Sequence, residues 1–419
     1  MDRKNVPVLL LTGYLGSGKT TLLNRILSNK KGIKFAVIVN DIGEINIDAS
    51  LIAKGGVVSS ADDSLVALQN GCICCTLQND LMQQVAELMN QDFDYIVIEA
   101  SGICEPEPIA RTLCSMPLVA PDLTKKAEPR LDAIVTVVDA LRLQSEFESG
   151  NKLKSSKIEE EDIENLVIQQ IEFCNIILLN KKSEVSREEL KQIREVIRAI
   201  QPKAEIIECD YCDVDLNSLI DTHLFDYEKT VTSATWIQQI EKPLDEIEEE
   251  EHSHHHHGHE IHGNHHDDED PSECDHEHGV CHCHHHHHHH EGGETEEYGI
   301  GTFVYYRSDP FDINKFDWFV GKKWPSSIIR AKGICYFSDQ TDMSYLFEQA
   351  GVQKKLTEAG KWYATAPQEE LEELMAREPG LMKDWDPVYG DRMQKIVFIG
   401  KNMDREEISK LLDSCTEKL

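Results

Sequence analysis

From residue 6 to about residue 235, short apolar runs rich in valine and isoleucine alternate with longer stretches in which apolar residues recur every three or four positions. An unbroken apolar run suits a strand buried on both faces, and the longer spacing suits a helix with one buried face. The alternation therefore predicts βα units around a parallel sheet, an α/β fold. Expected strands are Val6–Leu11, Phe35–Val39, Tyr95–Glu99, Ile134–Val138, Ile176–Leu179 and Glu205–Glu208. Expected helices are Lys19–Ser28, Leu77–Met89 and Arg187–Ile200, the last stopped by Gln201-Pro202 because proline cannot continue the ladder. Periodic apolar sequence resumes at Ile300–Tyr306, with strand patterns at Ile334–Phe337 and Ile396–Ile399 and a helical one at Glu369–Arg377. This predicts a second, smaller α+β domain of about 120 residues. No internal repeat is visible.

Between these two patterns the chain has almost nothing to bury. Acidic residues gather at Asp245–Glu251, and 19 of the 20 histidines fall between His252 and His290. The segment is expected to be a solvated, disordered loop. Its seven-histidine run, His284–His290, is internal and follows interspersed His, Asp, Glu and Cys, which argues against an expression tag. The expected division is thus 1–235, a nucleotide-type α/β domain; 236–297, an acidic His-rich loop; and 298–419, the smaller domain.

Charge and cysteine usage narrow the function classes. The 42 basic against 76 acidic residues give a formal charge of −34, which disfavours nucleic acid or an anionic membrane as partner and favours a cation. The apolar run Val6–Leu11 is too short for a signal-peptide core or a membrane span, so the reading is cytoplasmic. Thirteen cysteines are too sparse for a disulfide scaffold, and their clustering points to metal or redox chemistry. Cys114, Cys174 and Cys415 lie among apolar neighbours and are expected in the core.

The strongest chemical signal is Gly13-Tyr14-Leu15-Gly16-Ser17-Gly18-Lys19-Thr20, a G-x-x-x-x-G-K-[ST] pattern directly after the first strand and before the first helix. Its glycines let backbone N–H groups turn towards phosphate oxygens, and the helix N-terminus adds partial positive charge. Lys19 is expected to reach the β- and γ-phosphates and the Thr20 hydroxyl to hold Mg²⁺. Glu99 ends an apolar strand beside this site, where a carboxylate can orient Mg²⁺ or the attacking water. Asn40-Asp41-Ile42-Gly43-Glu44 offers two carboxylates and a glycine hinge, as a segment sensing the γ-phosphate needs; a plain polar loop is the alternative. Asn180-Lys181-Lys182-Ser183 is similar to the guanine-reading N-K-x-D pattern, with Ser183 in the Asp position.

Gly71-Cys72-Ile73-Cys74-Cys75 places three thiols in four residues. In an extended segment Cys72 and Cys74 project to one side and can grip one ion, and a local turn adds Cys75. Two or three thiolates suit Zn²⁺ and leave a position open for exchange; a redox pair or inert buried cysteines compete with this reading. Cys209-Asp210-Tyr211-Cys212 reads as packing or an incidental pair. The histidine loop, including His252, His254, His255, His256, His257, His284, His285 and His286, offers collective, unselective binding of Zn²⁺, Ni²⁺, Co²⁺ or Cu²⁺. That binding should weaken as pH falls through about 6.5.

These residues together resemble the CobW family of P-loop GTPases, relatives of the nickel-insertion GTPases of urease and hydrogenase. The resemblance rests on Thr12–Thr21, Gly43-Glu44, Gly71–Cys75, Glu99-Ala100-Ser101-Gly102 and Asn180-Lys181, and in the second domain on Arg330-Ala331-Lys332-Gly333 and Gly390–Gly400. It implies a P-loop NTPase domain followed by a CobW C-terminal domain for partner contact. It implies GTP and Mg²⁺ held by Gly13, Gly16, Ser17, Gly18, Lys19, Thr20, Thr21, Asn180 and Lys181, with Lys19, Asp41, Glu44 and Glu99 acting in hydrolysis. Cys72, Cys74 and Cys75 would carry the delivered ion, Zn²⁺ or else Co²⁺ or Ni²⁺, to a client metalloprotein; a homodimer stays open. The chain departs from the family at Asp41, where Glu is common, and at Ser183, where Asp is expected. Competing readings are a His-rich metal buffer with a structural nucleotide, and a cobalt-handling accessory of cobalamin synthesis.

Overall fold

The computed structural model describes residues 4–28, 32–39, 67–69, 78–91, 93–143, 161–242, 299–351, 353–377 and 385–418. Asp41, Glu44, Cys72, Cys74, Cys75 and the histidine loop lie outside the described residues.

The first strands are β1 (Lys4–Thr12), β2 (Phe35–Val39), β3 (Ala67–Gln69), β4 (Tyr95–Glu99), β5 (Ala127–Asp139), β6 (Ile176–Asn180) and β7 (Glu205–Glu208). They form one sheet in the order β3-β2-β4-β1-β5-β6-β7, every pairing parallel. The helices are α1 (Lys19–Leu27), α2 (Gln78–Met89), α3 (Pro106–Val119), α4 (Glu161–Glu172), α5 (Arg187–Ile200), α6 (Tyr227–Val231) and α7 (Thr235–Glu241).

The period-2 alternation of strands sorts the core into two layers. Val6, Val8 and Leu10 of β1 face α2 to α5, meeting Leu81, Ile109, Ile171 and Ile197, while Leu9 and Leu11 face α1 at Leu22, Leu23 and Ile26. All five residues of β2, β4 and β6 are buried, which is why these strands read as unbroken apolar runs. Helix α5 starts where its capping box dictates. Ser186 Oγ accepts from Glu189 N at 3.2 Å, and Glu189 Oε2 accepts from Ser186 N at 2.7 Å.

Helix α3 lacked the expected pattern. It contains Pro106, Pro108 and Pro117, a loop-like composition. It survives because the first two sit in the opening turn, where no N–H is needed, and the third lies near the end. Cys114 is a correction: it is exposed on α3, not in the core, whereas Cys174 and Cys415 are buried as expected.

The second unit is a five-stranded antiparallel sheet in the order β11-β10-β9-β12-β8. Its strands are β8 (Ile300–Arg307), β9 (Ile328–Phe337), β10 (Gln340–Ala350), β11 (Gln353–Lys361) and β12 (Gln394–Lys401), with helices α8 (Ile313–Lys322), α9 (Gln368–Arg377) and α10 (Arg405–Asp413). Edge strand β11 is mostly exposed and carries Lys354, Lys355 and Lys361, so it shows no apolar alternation and resists pairing with another chain. An aromatic cluster of Phe303, Phe316, Phe337, Phe347 and Phe398 fills one face under α8 and α10. The other face, at Val304, Val397 and Ile399, packs on Trp236 and Ile240 of α7 and Ala199 of α5.

One buried ion pair joins the two sheets' layers. Fully buried Arg330 of β9 donates Nε to Glu172 Oε1 at 2.9 Å and Nη2 to Glu172 Oε2 at 3.1 Å, Glu172 being the last residue of α4. Gly333, three residues further along the strand, lies so close to β12 that a Cβ would meet Lys395 O at 2.1 Å. Among the described residues, no helix is long and apolar enough to cross a membrane. Replacing one partner of a buried pair strands the other charge. Arg330→Met is therefore expected to cost roughly 3–5 kcal/mol, and Arg330→Met with Glu172→Leu much less; equal losses in thermal unfolding would show that packing, not charge, carries this contact.

Candidate functional site

Strand β1 delivers the phosphate-binding loop to the carboxyl end of the sheet, where α/β folds take their ligands. Gly13, Gly16 and Gly18 have φ of 135°, 76° and 117°. A Cβ at Gly13 would meet Val137 O at 2.3 Å, and one at Gly18 would meet Asn180 Nδ2 at 2.6 Å, so a side chain there fails on conformation and on space. Lys19 is buried, with Nζ donating to Tyr14 O at 3.3 Å. Among the described residues, Ser17 Oγ is buried with no hydrogen-bond partner, an atom that a phosphate oxygen would satisfy. Thr21 is exposed in the first turn of α1.

The acid at the end of β4 faces this loop. Glu99 is buried, in register with Leu11 of β1, and Thr20 Oγ1 donates to its Oε1 at 3.2 Å. The hydroxyl and carboxylate are hard oxygen donors of the kind Mg²⁺ takes. The Glu99-Ala100-Ser101-Gly102 stretch then turns against the loop: a Cβ on Gly102 would meet Leu15 N at 2.7 Å. Gln170 of α4 holds that turn, donating Nε2 to Gly102 O at 3.3 Å and to Cys104 O at 3.1 Å.

The base-side loop is tied to the phosphate loop by one amide. Buried Asn180 donates Nδ2 to Ser17 O at 2.8 Å and accepts at Oδ1 from Cys212 N at 3.0 Å. Lys181 follows in a left-handed conformation, φ 61°, and pairs with Asp139 at the end of β5. Asp139 also accepts from Arg142 N at 3.1 Å, and the Arg142 guanidinium lies 4.0 Å from the Tyr14 ring centroid. Thus Gly13, Gly16, Ser17, Gly18, Lys19, Thr20, Glu99, Asn180 and Lys181 converge at one end of the sheet. Strands β2 and β3 end in the same row, Val39 being in register with both Glu99 and Gln69.

Residues 7–208 match the CobW/HypB/UreG nucleotide-binding domain, and residues 300–416 match the cobalamin synthesis protein cobW C-terminal domain. The chain belongs to the CobW/HypB/UreG family. It is 32% identical over 98% of its length, and 80% of the relative, to the zinc-regulated GTPase metalloprotein activator 1 of Dictyostelium discoideum. It is 36% identical to the protein of that name from Schizosaccharomyces pombe, over 54% of this chain and 51% of the relative. It is 31% identical to the zinc chaperone YjiA of Escherichia coli, over 54% of this chain and 65% of that one. Membership makes this CobW-type protein a GTP-hydrolysing enzyme.

In this CobW-type chain the pair Cys209 and Cys212 packs beneath the phosphate loop. Both thiols are buried and free, and Cys212 Sγ donates to Gly18 O at 3.4 Å. The adjacent Cys209 thiol and burial push the Cys212 thiol well above its usual range, so it stays protonated, while Cys212 beside it lowers Cys209. The packing reading of this pair holds, but its place under Gly18 had no signal in the spacing. Asp139, Arg142, Gln170 and Asp210 were missed for the same reason: each acts across the fold on a residue distant in sequence.

Among the described residues, Asp132, Asp221 and His223 also bring potential ion-ligating atoms within 4.8 Å of one another. Asp132 is already filled by Tyr95 Oη at 2.6 Å, Thr222 N at 3.0 Å, His223 N at 2.8 Å and Arg130 Nη1 at 3.1 Å. Burial and this carboxylate push the Tyr95 phenol far up, so it remains a donor. The cluster anchors the loop at residues 221–225, at the end of the sheet away from the phosphate loop. A methyl at Gly18 tests the loop's shape: Gly18→Ala is expected to weaken GDP binding roughly 10-fold or more through left-handed strain and contact with Asn180, with the circular dichroism spectrum unchanged. Native affinity in that variant would refute the geometric requirement.

Proposed function

We propose that this GTPase is a metallochaperone that holds Zn²⁺ at Cys72, Cys74 and Cys75 and passes it to a client metalloprotein in the reducing cytoplasm. The observation that carries the reading is the row of strand ends Val39, Gln69 and Glu99. Neighbouring strands lie about 4.8 Å apart, so the chain enters the cysteine segment, just after Gln69, about 10 Å from the carboxylate level of the nucleotide site. The segment Asn40–Glu44 leaves the same row at Val39. Relatives named as zinc-regulated activators and zinc chaperones support zinc as the cargo.

The residues divide the work as follows. Backbone N–H groups of Gly13–Lys19 cradle the β- and γ-phosphates, and the Lys19 ammonium leaves Tyr14 O for a phosphate oxygen. Thr20 and Glu99 would hold Mg²⁺, which when bound neutralises charge building on the phosphates. Glu99, Asp41 and Glu44 orient the attacking water and sense the γ-phosphate. With that phosphate present, the segment from Val39 is ordered and draws the three thiolates together. Its loss relaxes the segment and weakens the grip while the client is docked. The histidine loop gathers ions for this site, and the CobW C-terminal domain contacts the client.

Coupling of this kind amounts to a factor of roughly 10 to 100. Zinc is expected to bind at least about 10-fold tighter with a non-hydrolysable GTP analogue than with GDP, in equilibrium competition against a chromogenic chelator, and Cys74→Ser should erase the difference. Equal affinities in the native protein would instead favour a His-rich buffer. Deleting residues 252–290 should lower the number of zinc ions bound at pH 7.5 and remove the loss of capacity as pH falls through about 6.5, while GTP hydrolysis and the nucleotide-sensitive ion persist. Loss of the nucleotide-sensitive ion in that deletion would place the exchange site in the histidines.

A further inference from the structure

Guanine carries protons on N1 and on its 2-amino group, whereas adenine presents an unprotonated N1 and no amino group there. A carboxylate facing that edge accepts from guanine and repels adenine. In the N-K-x-D pattern the carboxylate would stand at position 183, where this chain has a neutral serine.

The loop after β7 brings a carboxylate to the same place. Asp210 Oδ1 accepts from Ser183 N at 3.0 Å and from Ser183 Oγ at 2.9 Å. Both residues follow the carboxyl ends of adjacent parallel strands, β6 and β7, paired at Leu179 and Glu208. The two loops are bound to each other on either side of the contact. Cys209 N donates to Leu179 O at 2.9 Å, and Lys182 N to Cys209 O at 3.2 Å. Asn180 joins the β7 loop, through Cys212 N, to Ser17 of the phosphate loop. The carboxylate is therefore placed relative to the phosphates by side chains that belong to the nucleotide site itself. The Ser183 N–H, its hydroxyl and nearby Lys182 hold Asp210 below the usual carboxylate range, so it is ionised at neutral pH.

We infer that Asp210, reaching in from the loop after β7, is the residue that selects guanine in this chain, with Ser183 serving to orient it. Ser183 occupies Oδ1; Oδ2 is the acceptor offered to guanine N1–H and the 2-amino group. The inference rests on the GTPase site and is independent of zinc delivery, so its test contains no zinc. The competing role is structural: Asp210 only caps the turn at Lys182–Glu184.

The test is displacement of a fluorescent GDP analogue from the full chain with Mg²⁺, by GDP, IDP, XDP and ADP. Loss of a hydrogen bond to an ionised acceptor corresponds to roughly 10-fold to 100-fold in affinity. Asp210→Asn is expected to weaken GDP by that factor and to raise XDP relative to GDP, because the new amide N–H can donate to the xanthine 2-oxo group. Adding Ser183→Asp to that variant should restore the preference for GDP. Equal weakening of all four nucleotides, or an unchanged order of affinities, overturns the inference in favour of the capping role. Should Asp210→Asn not fold, the native protein reads the same contact: IDP, which lacks the 2-amino group, and XDP must bind more weakly than GDP, and equal affinities for the three overturn it.

Discussion

A loop that binds phosphate must leave most of its backbone N–H groups turned outward, so its own hydrogen bonds, here Ser17 N to Tyr14 O at 3.2 Å, fix little of its shape. The phosphate loop of this protein is held from outside. Asn180 pins Ser17 O from one side, Glu99 accepts from Thr20 on another, and the turn at Gly102 closes against Leu15. The clamps come from the carboxyl ends of two strands, β6 and β4, and from the turn just after β4. The parallel sheet matters to function because it brings those ends to one edge.

The same clamps set the rest of the site. Asn180 also fixes the β7 loop through Cys212 N, and with it Asp210 beside Ser183. The buried thiol of Cys212, donating to Gly18 O, supports the phosphate loop from below. A pair of cysteines that looks like a metal or redox motif in isolation is here a packing element. Chemistry at a cysteine depends on exposure and thiolate character, and Cys212 has neither.

Helix α4 links the nucleotide site to the second sheet. Gln170 holds the turn after Glu99 through Gly102 O and Cys104 O, and Glu172, two residues on, grips Arg330 of β9 with both oxygens. A buried pair of this kind contributes little net stability against apolar residues of equal volume, but it tolerates only one alignment of its two planar groups. It therefore specifies how the antiparallel sheet seats on the GTPase domain, while Val304, Val397 and Ile399 against Trp236 and Ile240 supply the apolar contact.

Much of this was legible in the amino-acid sequence, for a local reason. Strands β2, β4 and β7 and helix α5 stand where the apolar runs and Pro202 put them, because those signals act within a few residues. The phosphate loop was legible because glycine spacing is a backbone requirement, and the family could be recognised from it and its companion motifs. Helix α3 and strands β10 and β11 were not, since prolines, an edge position and exposed lysines obscured the periodicity. Tertiary structure alone decided that Cys114 lies on the surface, that Arg330 belongs to Glu172, that Gln170 braces the turn after Glu99 and that Asp210 stands beside Ser183. Those pairings join residues far apart in the chain, and no spacing along a sequence encodes a contact that exists only once two strand ends lie side by side.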